Sequence, residues 1–274
     1  MCRWLAYSGS PIRLEELLVK RDRSLIDQSL HSRLGATTTN GDGFGVGWYQ
    51  DGEPPRTYRS THPAWNDRNL RELAAGISSP LFFAHIRAST GGAIQETNVH
   101  PFRHGNWLWM HNGAIREFPR IQRELQMKVS DDLYTSIEGT TDSETMFYLA
   151  LTFGLEDDPI GAVEQTVGFI EKTGHAHDVE QPIQMTVATT NGETIWAFRY
   201  SSEHDSRSLF FSTRMDALKA IHPELAELGV LSDETRVVVS EPLGDLTGAW
   251  NAVPESHVGI VQPGEDELRP FSPR

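Results

Sequence analysis

The chain has a single cysteine among 274 residues, and it stands at position 2. A lone thiol excludes an intramolecular disulfide framework and suits a reducing compartment. Long hydrophobic runs are also missing. Arg3, Arg13, Glu15 and Glu16 interrupt the first segment, so it does not read as a signal peptide. No stretch approaches the roughly 20 apolar residues of a membrane span. The expectation is a cytoplasmic protein with no membrane contact. Positive charge is scarce: 24 Lys and Arg stand against 38 Asp and Glu, a formal net charge of −14. That field opposes phosphate, so no nucleic-acid partner is expected. Repeats, low-complexity tracts and a linker rich in Pro, Gly or Ser are absent. The chain is read as one domain over 1–274, with a polar tail from about 263 that is expected to fray.

What is present alternates between strand and helix signals. "CRWLAYS", "PLFFAHIRAS" and "NWLWMHNGAI" read as buried strands. "TNGDGFGVGWY" reads as a glycine-rich loop entering a strand, with glycines serving positive φ or close backbone approach. "NDRNLRELAAGI" predicts a helix capped by Asn66. "TDSETMFYLALTFGL" opens with a capping box from Thr141 to Glu144, and "IGAVEQTVGFIEKTG" predicts an amphipathic helix ending at Gly174. Two alternating runs around Asn191-Gly192 predict a β-hairpin, and "SLFFST", "TRVVVSE" and "SHVGIVQ" add strands. The pattern favours mixed sheets layered with helices over a regular βαβ winding.

Four features carry chemistry. Removing Met1 would leave Cys2 with a free α-amine on its own Cα. The amine titrates near about 7.7–8.0 and a thiol near about 8.5, well matched for proton exchange. Asn112 and the N–H of Gly113 offer two adjacent donors to an oxyanion, each worth on the order of 3–4 kcal/mol of barrier where it has been removed. Arg87 can pair bidentately with a carboxylate, and Thr90 can add a hydroxyl. Asp142 can receive an ammonium. Each has a plain alternative: an inert cysteine, an Asn-Gly turn, a loop threonine, a helix cap.

Other signals are discounted. His85, His100, His104 and His111 lack metal-ligand spacing and a second cysteine, so no metal is expected. His175 and His177 lie in a polar connection. "GDGFGVG" precedes a strand rather than a helix, and so does not read as a phosphate cradle. No cofactor is expected.

Taken in order, N-terminal M-C, "NGDGFGVGWY", "AHIRAST", "ETNVHPF", "MHNGAI" and "TTDSE" resemble the glutaminase domain of class II glutamine amidotransferases, which are N-terminal-nucleophile hydrolases. "PIRLEELL", "SLIDQSLHSRL" and "PAWNDRNL" look like stand-alone members that degrade glutathione, beside the γ-glutamyl amidohydrolases of ergothioneine biosynthesis. The resemblance implies an α+β fold, a four-layer αββα sandwich. It implies Cys2 as nucleophile, Asn112 and Gly113 as oxyanion hole, Arg87 and Thr90 on the α-carboxylate, and Asp142 on the α-ammonium. It places Asn40 and Asp42 on a loop beside the substrate. Larger relatives carry a histidine after the Arg–x–x–Thr element, where this chain has Gly91-Gly92.

The expected activity is cysteine-dependent hydrolysis of a γ-glutamyl amide through a thioester on Cys2. The expected partner is a small-molecule γ-glutamyl substrate, with a separate synthase or peptidase subunit as a further candidate. Two alternatives stand beside this: a glutaminase subunit delivering ammonia to a separate synthase, and a non-catalytic sensor of γ-glutamyl ligands.

Overall fold

The protein is described by a computed structural model covering residues 2–274, apart from Asp22, Asp51 and the segments 31–38, 90–92 and 223–231. Two antiparallel sheets form its centre. The first joins β1 (Arg3–Arg13), β2 (Phe44–Trp48), β3 (Arg56–Ser60), β4 (Ser78–Ile86), β9 (Phe210–Ser212), β10 (Arg236–Val239) and β11 (Trp250–Ala252). Their order is β11-β9-β10-β1-β4-β2-β3. The second joins β5 (Phe102–His104), β6 (Trp107–Ile115), β7 (Ile183–Thr190), β8 (Ile195–Ser201), β12 (His257–Val261) and β13 (Glu267–Pro270), in the order β13-β12-β8-β7-β6-β5.

The two-residue period of the strands sorts their side chains into separate cores. From β1, Trp4 and Ala6 face the second sheet, while Leu5 and Tyr7 face outward onto helices. β4 divides the same way, with Leu81 and Phe83 between the sheets and Phe82, Ala84 and Ile86 on the helix side. In β6, Leu108 and Met110 enter the inter-sheet core, and Trp109 and Ile115 the opposite one. These strands are buried on both faces, which is why they read as continuous apolar runs. Each fully buried large side chain contributes about 1.5–3 kcal/mol of transfer free energy.

Helices α1 (Glu15–Leu18), α2 (Leu25–Leu30) and α3 (Arg68–Gly76) cover the first sheet. Helices α4 (Phe118–Lys128), α6 (Asp142–Thr152) and α7 (Pro159–Ala176) cover the second. The short α5 (Asp131–Tyr134) precedes α6, and α8 (Met215–Ile221) follows β9. The layers are helix, sheet, sheet, helix: the αββα sandwich. Gly45 in β2 shows what the glycine-rich stretch does. A Cβ there would lie 2.2 Å from the His100 carbonyl oxygen, so only glycine permits that approach.

Several local expectations are corrected. The cap of α3 is Asp67, whose carboxylate accepts from Leu70 N at 2.8 Å, while Asn66 closes a preceding 3-10 turn. Helix α7 runs two residues past Gly174, to Ala176. The β7–β8 hairpin, by contrast, forms where expected, its turn spanning residues 191–194 with Asn191 Oδ1 accepting from Glu193 N and Thr194 N. The polar tail does not fray. Residues 267–270 pair with β12, and Phe271 is buried against Phe198 and Tyr200. No helix among the described residues is long and apolar enough to cross a membrane.

Candidate active site

Cys2 sits one residue before β1, a central strand of the first sheet. Arg3 pairs with Ile86, so Cys2 arrives opposite the end of β4, where Arg87 follows. The sulfur lies between the backbone groups of Ala88. Its thiol donates to the Ala88 carbonyl at 3.5 Å, and Ala88 N–H reaches Sγ at 3.4 Å. Burial pushes the thiol above its ordinary value. The Ala88 N–H and the charges of the chain terminus, Arg87 and Arg207 pull it back down.

β6 brings the second group of residues. Asn112 Nδ2 donates to the Cys2 carbonyl at 3.1 Å, which commits one of its two N–H groups and ties the sheets together at the nucleophile. β5 pairs with β6 only from Trp107 to Trp109, so β6 has no described strand partner on that side at Asn112 and Gly113. Gly113 admits no side chain: a Cβ would lie 1.9 Å from the Gln184 carbonyl oxygen and 2.6 Å from His111 Nε2.

Asp142 begins α6. Its Oδ2 accepts from Ile115 N at 2.8 Å, and its Oδ1 accepts from Ser143 N at 2.8 Å and Ser143 Oγ at 3.2 Å. The carboxylate thus joins the end of β6 to the start of a helix whose dipole favours negative charge. Ser143 Oγ is 2.8 Å from His111 Nδ1. Burial lowers the His111 pKa, opposed in part by the charge of Asp142. The capping box is half formed. Thr141 accepts from Glu144 N, but the Glu144 carboxylate turns upstream to Glu138 N and Gly139 N.

Cys2, Arg87, Asn112, Gly113 and Asp142 line one cavity of about 570 Å³. Arg87 is buried, donates to Ser89 Oγ at 3.3 Å, and keeps Nη1 without a hydrogen-bond partner among the described residues. A second cleft of about 590 Å³ lies elsewhere, walled mainly by Leu17, Met215, Leu218, Leu246 and Trp250. Volume does not separate the two. Chemistry does, because only the first holds a thiol, two guanidiniums and a carboxylate fed by N–H donors.

Asn40 and Asp42 do not line the cavity. Asp42 instead frames it: Oδ2 accepts from Ser89 N at 2.7 Å, and Asp42 N donates to Arg87 O at 3.2 Å. One oxygen of its carboxylate is thus tied to the backbone of the segment that follows Arg87. Asn40 is fully buried, donates its backbone N–H to Ser29 O at 2.7 Å, and has no side-chain partner among the described residues. Thr90 lies outside the described residues.

Three cavity residues had no assigned role. Asn98 accepts from Thr140 N at 2.8 Å and donates to Thr140 Oγ1 at 3.1 Å, holding the loop before α6. It stands inside "ETNVHPF", so a motif pointed toward it. His100 contacts His85, Nδ1 to Nε2, at 2.9 Å. Arg207 reaches the cavity from the connection between β8 and β9, and nothing in "HDSRSLFFST" marks it. Among the described residues no cluster of histidine, cysteine and carboxylates could hold a metal ion.

The family model described as glutamine amidotransferases class-II matches residues 18–271, a span that begins after Cys2. The Saccharomyces cerevisiae protein named "Probable glutamine amidotransferase DUG3" is 36% identical over 303 residues, covering 99% of this chain and 84% of that one. The gamma-glutamyl-hercynylcysteine sulfoxide hydrolase of Mycolicibacterium smegmatis is 27% identical over 276 residues, covering 99% and 100%. A solved glutamine aminotransferase class-II domain protein of Silicibacter pomeroyi superposes with a TM-score of 0.76 at 30% identity, covering 100% of both chains. The chain therefore belongs to the class II glutamine amidotransferases, enzymes that act on γ-glutamyl amides.

Proposed function

We propose that this protein hydrolyses a γ-glutamyl amide bond with Cys2 as nucleophile. The carrying observation is that Cys2, Arg87, Asn112, Gly113 and Asp142, far apart in sequence, line one cavity. A half-buried thiol whose pKa is raised by desolvation needs a base beside it. Removal of Met1 supplies one, the α-amine of Cys2, which titrates near about 8.

Sγ attacks the γ-carbonyl carbon while the α-amine takes the thiol proton. The developing oxyanion accepts from the free N–H of Asn112 and the backbone N–H of Gly113. The α-amine hands the proton to the leaving amine, and the C–N bond breaks. Water then cleaves the thioester, releasing glutamate and restoring the thiol. Arg87, with its open Nη1, suits the α-carboxylate of the glutamyl group, and Asp142 suits its α-ammonium.

The test is glutamate release from glutamine and from a panel of γ-glutamyl peptides, after intact mass has confirmed that Met1 is gone. Cys2→Ala should lose turnover with its circular dichroism unchanged. A thiol-directed glutamine analogue should add its mass to the wild type alone. Full turnover in Cys2→Ala, or ligand binding without covalent capture in the wild type, would end this reading. Strong activity on glutamine alone would favour an ammonia-delivering subunit, in line with the amidotransferase name of the yeast relative.

A further inference from the structure

Two guanidiniums line the cavity around Cys2, and the γ-glutamyl head group uses only one. That head group carries one α-carboxylate and one α-ammonium. Arg87 and Asp142 match them. Arg207 remains. It comes from a different element, the connection between β8 and β9, and reaches the same cavity beside the thiol. Among the described residues it forms no ion pair, and its Nε is buried without a hydrogen-bond partner. Glu117, the other carboxylate of the wall, is exposed at the rim and does not pair with it. A partly desolvated guanidinium without an anion is costly unless a ligand supplies one. When glutamine is the substrate the leaving group is ammonia, which carries no anion.

We infer that Arg207 anchors a carboxylate on the leaving-amine side of the scissile bond, so that the preferred substrates are γ-glutamyl conjugates of amino acids or peptides. This rests on the γ-glutamyl reading above and narrows it. The amine departs with the proton first held by the Cys2 thiol, and its carboxylate stays paired with Arg207 until the C–N bond is broken. Arg207 therefore sets specificity, and its charge beside Sγ is a separate matter. A residue that only tuned the thiol would affect every substrate alike.

The experiment compares γ-glutamylglycine with γ-glutamylglycinamide, which differ only in that carboxylate. In the wild type, kcat/KM should favour the acid by roughly 10-fold or more, the scale of a charged hydrogen bond. In Arg207→Gln the ratio should fall to about one, and Arg207→Lys should restore part of it. A wild-type ratio near one, or a ratio that Arg207→Gln leaves unchanged, overturns the inference. Calorimetric binding of the same pair to Cys2→Ala gives a readout independent of turnover. Equal binding of acid and amide overturns the role of Arg207 alone. Binding of neither overturns the γ-glutamyl reading and this inference with it. If Arg207→Gln does not fold, the wild-type ratio and the Cys2→Ala titration still decide.

Discussion

Arg3 Nε donates to Glu241 Oε2 at 2.8 Å, joining the start of β1 to the segment after β10 through a buried ion pair. Arg3 Nη1 also donates to the Cys2 carbonyl at 3.0 Å. The pair therefore holds the residue on which the proposed chemistry depends. Removing one partner of a buried pair strands the other charge. Glu241→Ala is expected to cost about 3–5 kcal/mol, seen as a lowered urea midpoint. Arg3→Met with Glu241→Leu should recover most of that loss, because no buried charge is then left unpaired. A Glu241→Ala midpoint equal to the wild type would refute the argument.

Gly113 is expected to tolerate no side chain. The Cβ of Gly113→Ala would meet the backbone of Gln184 in the paired strand, which cannot swing aside as a flexible side chain does. The predicted cost is about 1–3 kcal/mol of stability. Because β6 must shift, kcat should fall by roughly 100-fold or more as the proposed oxyanion donors move. Thermal melting and steady-state kinetics on the same sample check both parts.

Asp142→Asn removes the charge proposed to hold the ammonium while keeping the shape. One of its two oxygens becomes a donor, so either Ile115 N or the Ser143 pair loses its acceptor. A charged hydrogen bond is worth about 1.5–3 kcal/mol, which corresponds to a roughly 10- to 150-fold loss in kcat/KM. Inhibition by free glutamate should weaken in parallel. Unaltered glutamate inhibition would remove Asp142 from the binding role.

Acid should destabilise the fold through its buried histidines. Burial, then the charge of Arg87, holds His85 down to about 3. Burial, then the charges of His85 and His111, holds His100 well below its ordinary value. In the unfolded chain both titrate near about 6.5. A depressed histidine is neutral in the fold, so its contribution is intact above the unfolded value. It is lost as pH falls below it, continuing for His85 to about pH 3. The expected slope is about 1.4 kcal/mol per pH unit for each histidine. Urea melts between about pH 7 and pH 5 measure it, and His85→Asn should reduce the slope by one histidine's share. A flat profile over that range would contradict the buried neutral state.

The strands were legible because their burial is two-sided and leaves unbroken apolar runs, as in Trp4–Tyr7 and Leu81–Ala84. The hairpin at Asn191-Gly192 was legible because its turn chemistry is local. The cap of α3 was not. Asn66 and Asp67 are equally able side chains, and the 3-10 turn at Ala64–Asn66 decides which one faces the helix. β13 was hidden because an edge strand needs no apolar pattern of its own. It borrows its order from β12, and Phe271 anchors it.

The candidate site divides along the same line. Cys2, Arg87, Asn112, Gly113 and Asp142 are ends of strands or the start of a helix, and short motifs mark such positions because backbone geometry constrains them locally. That such residues exist, and in what order, was written in the chain itself. Their convergence depends on the start of β1 meeting the ends of β4 and β6 at one edge of two stacked sheets. Pairing across such long separations has no local signature. Asp42 holding Ser89, Glu144 turning back to Glu138, and Arg207 reaching the cavity of Cys2 are settled only by packing, because a polar side chain in a loop takes whichever surroundings the fold sets beside it.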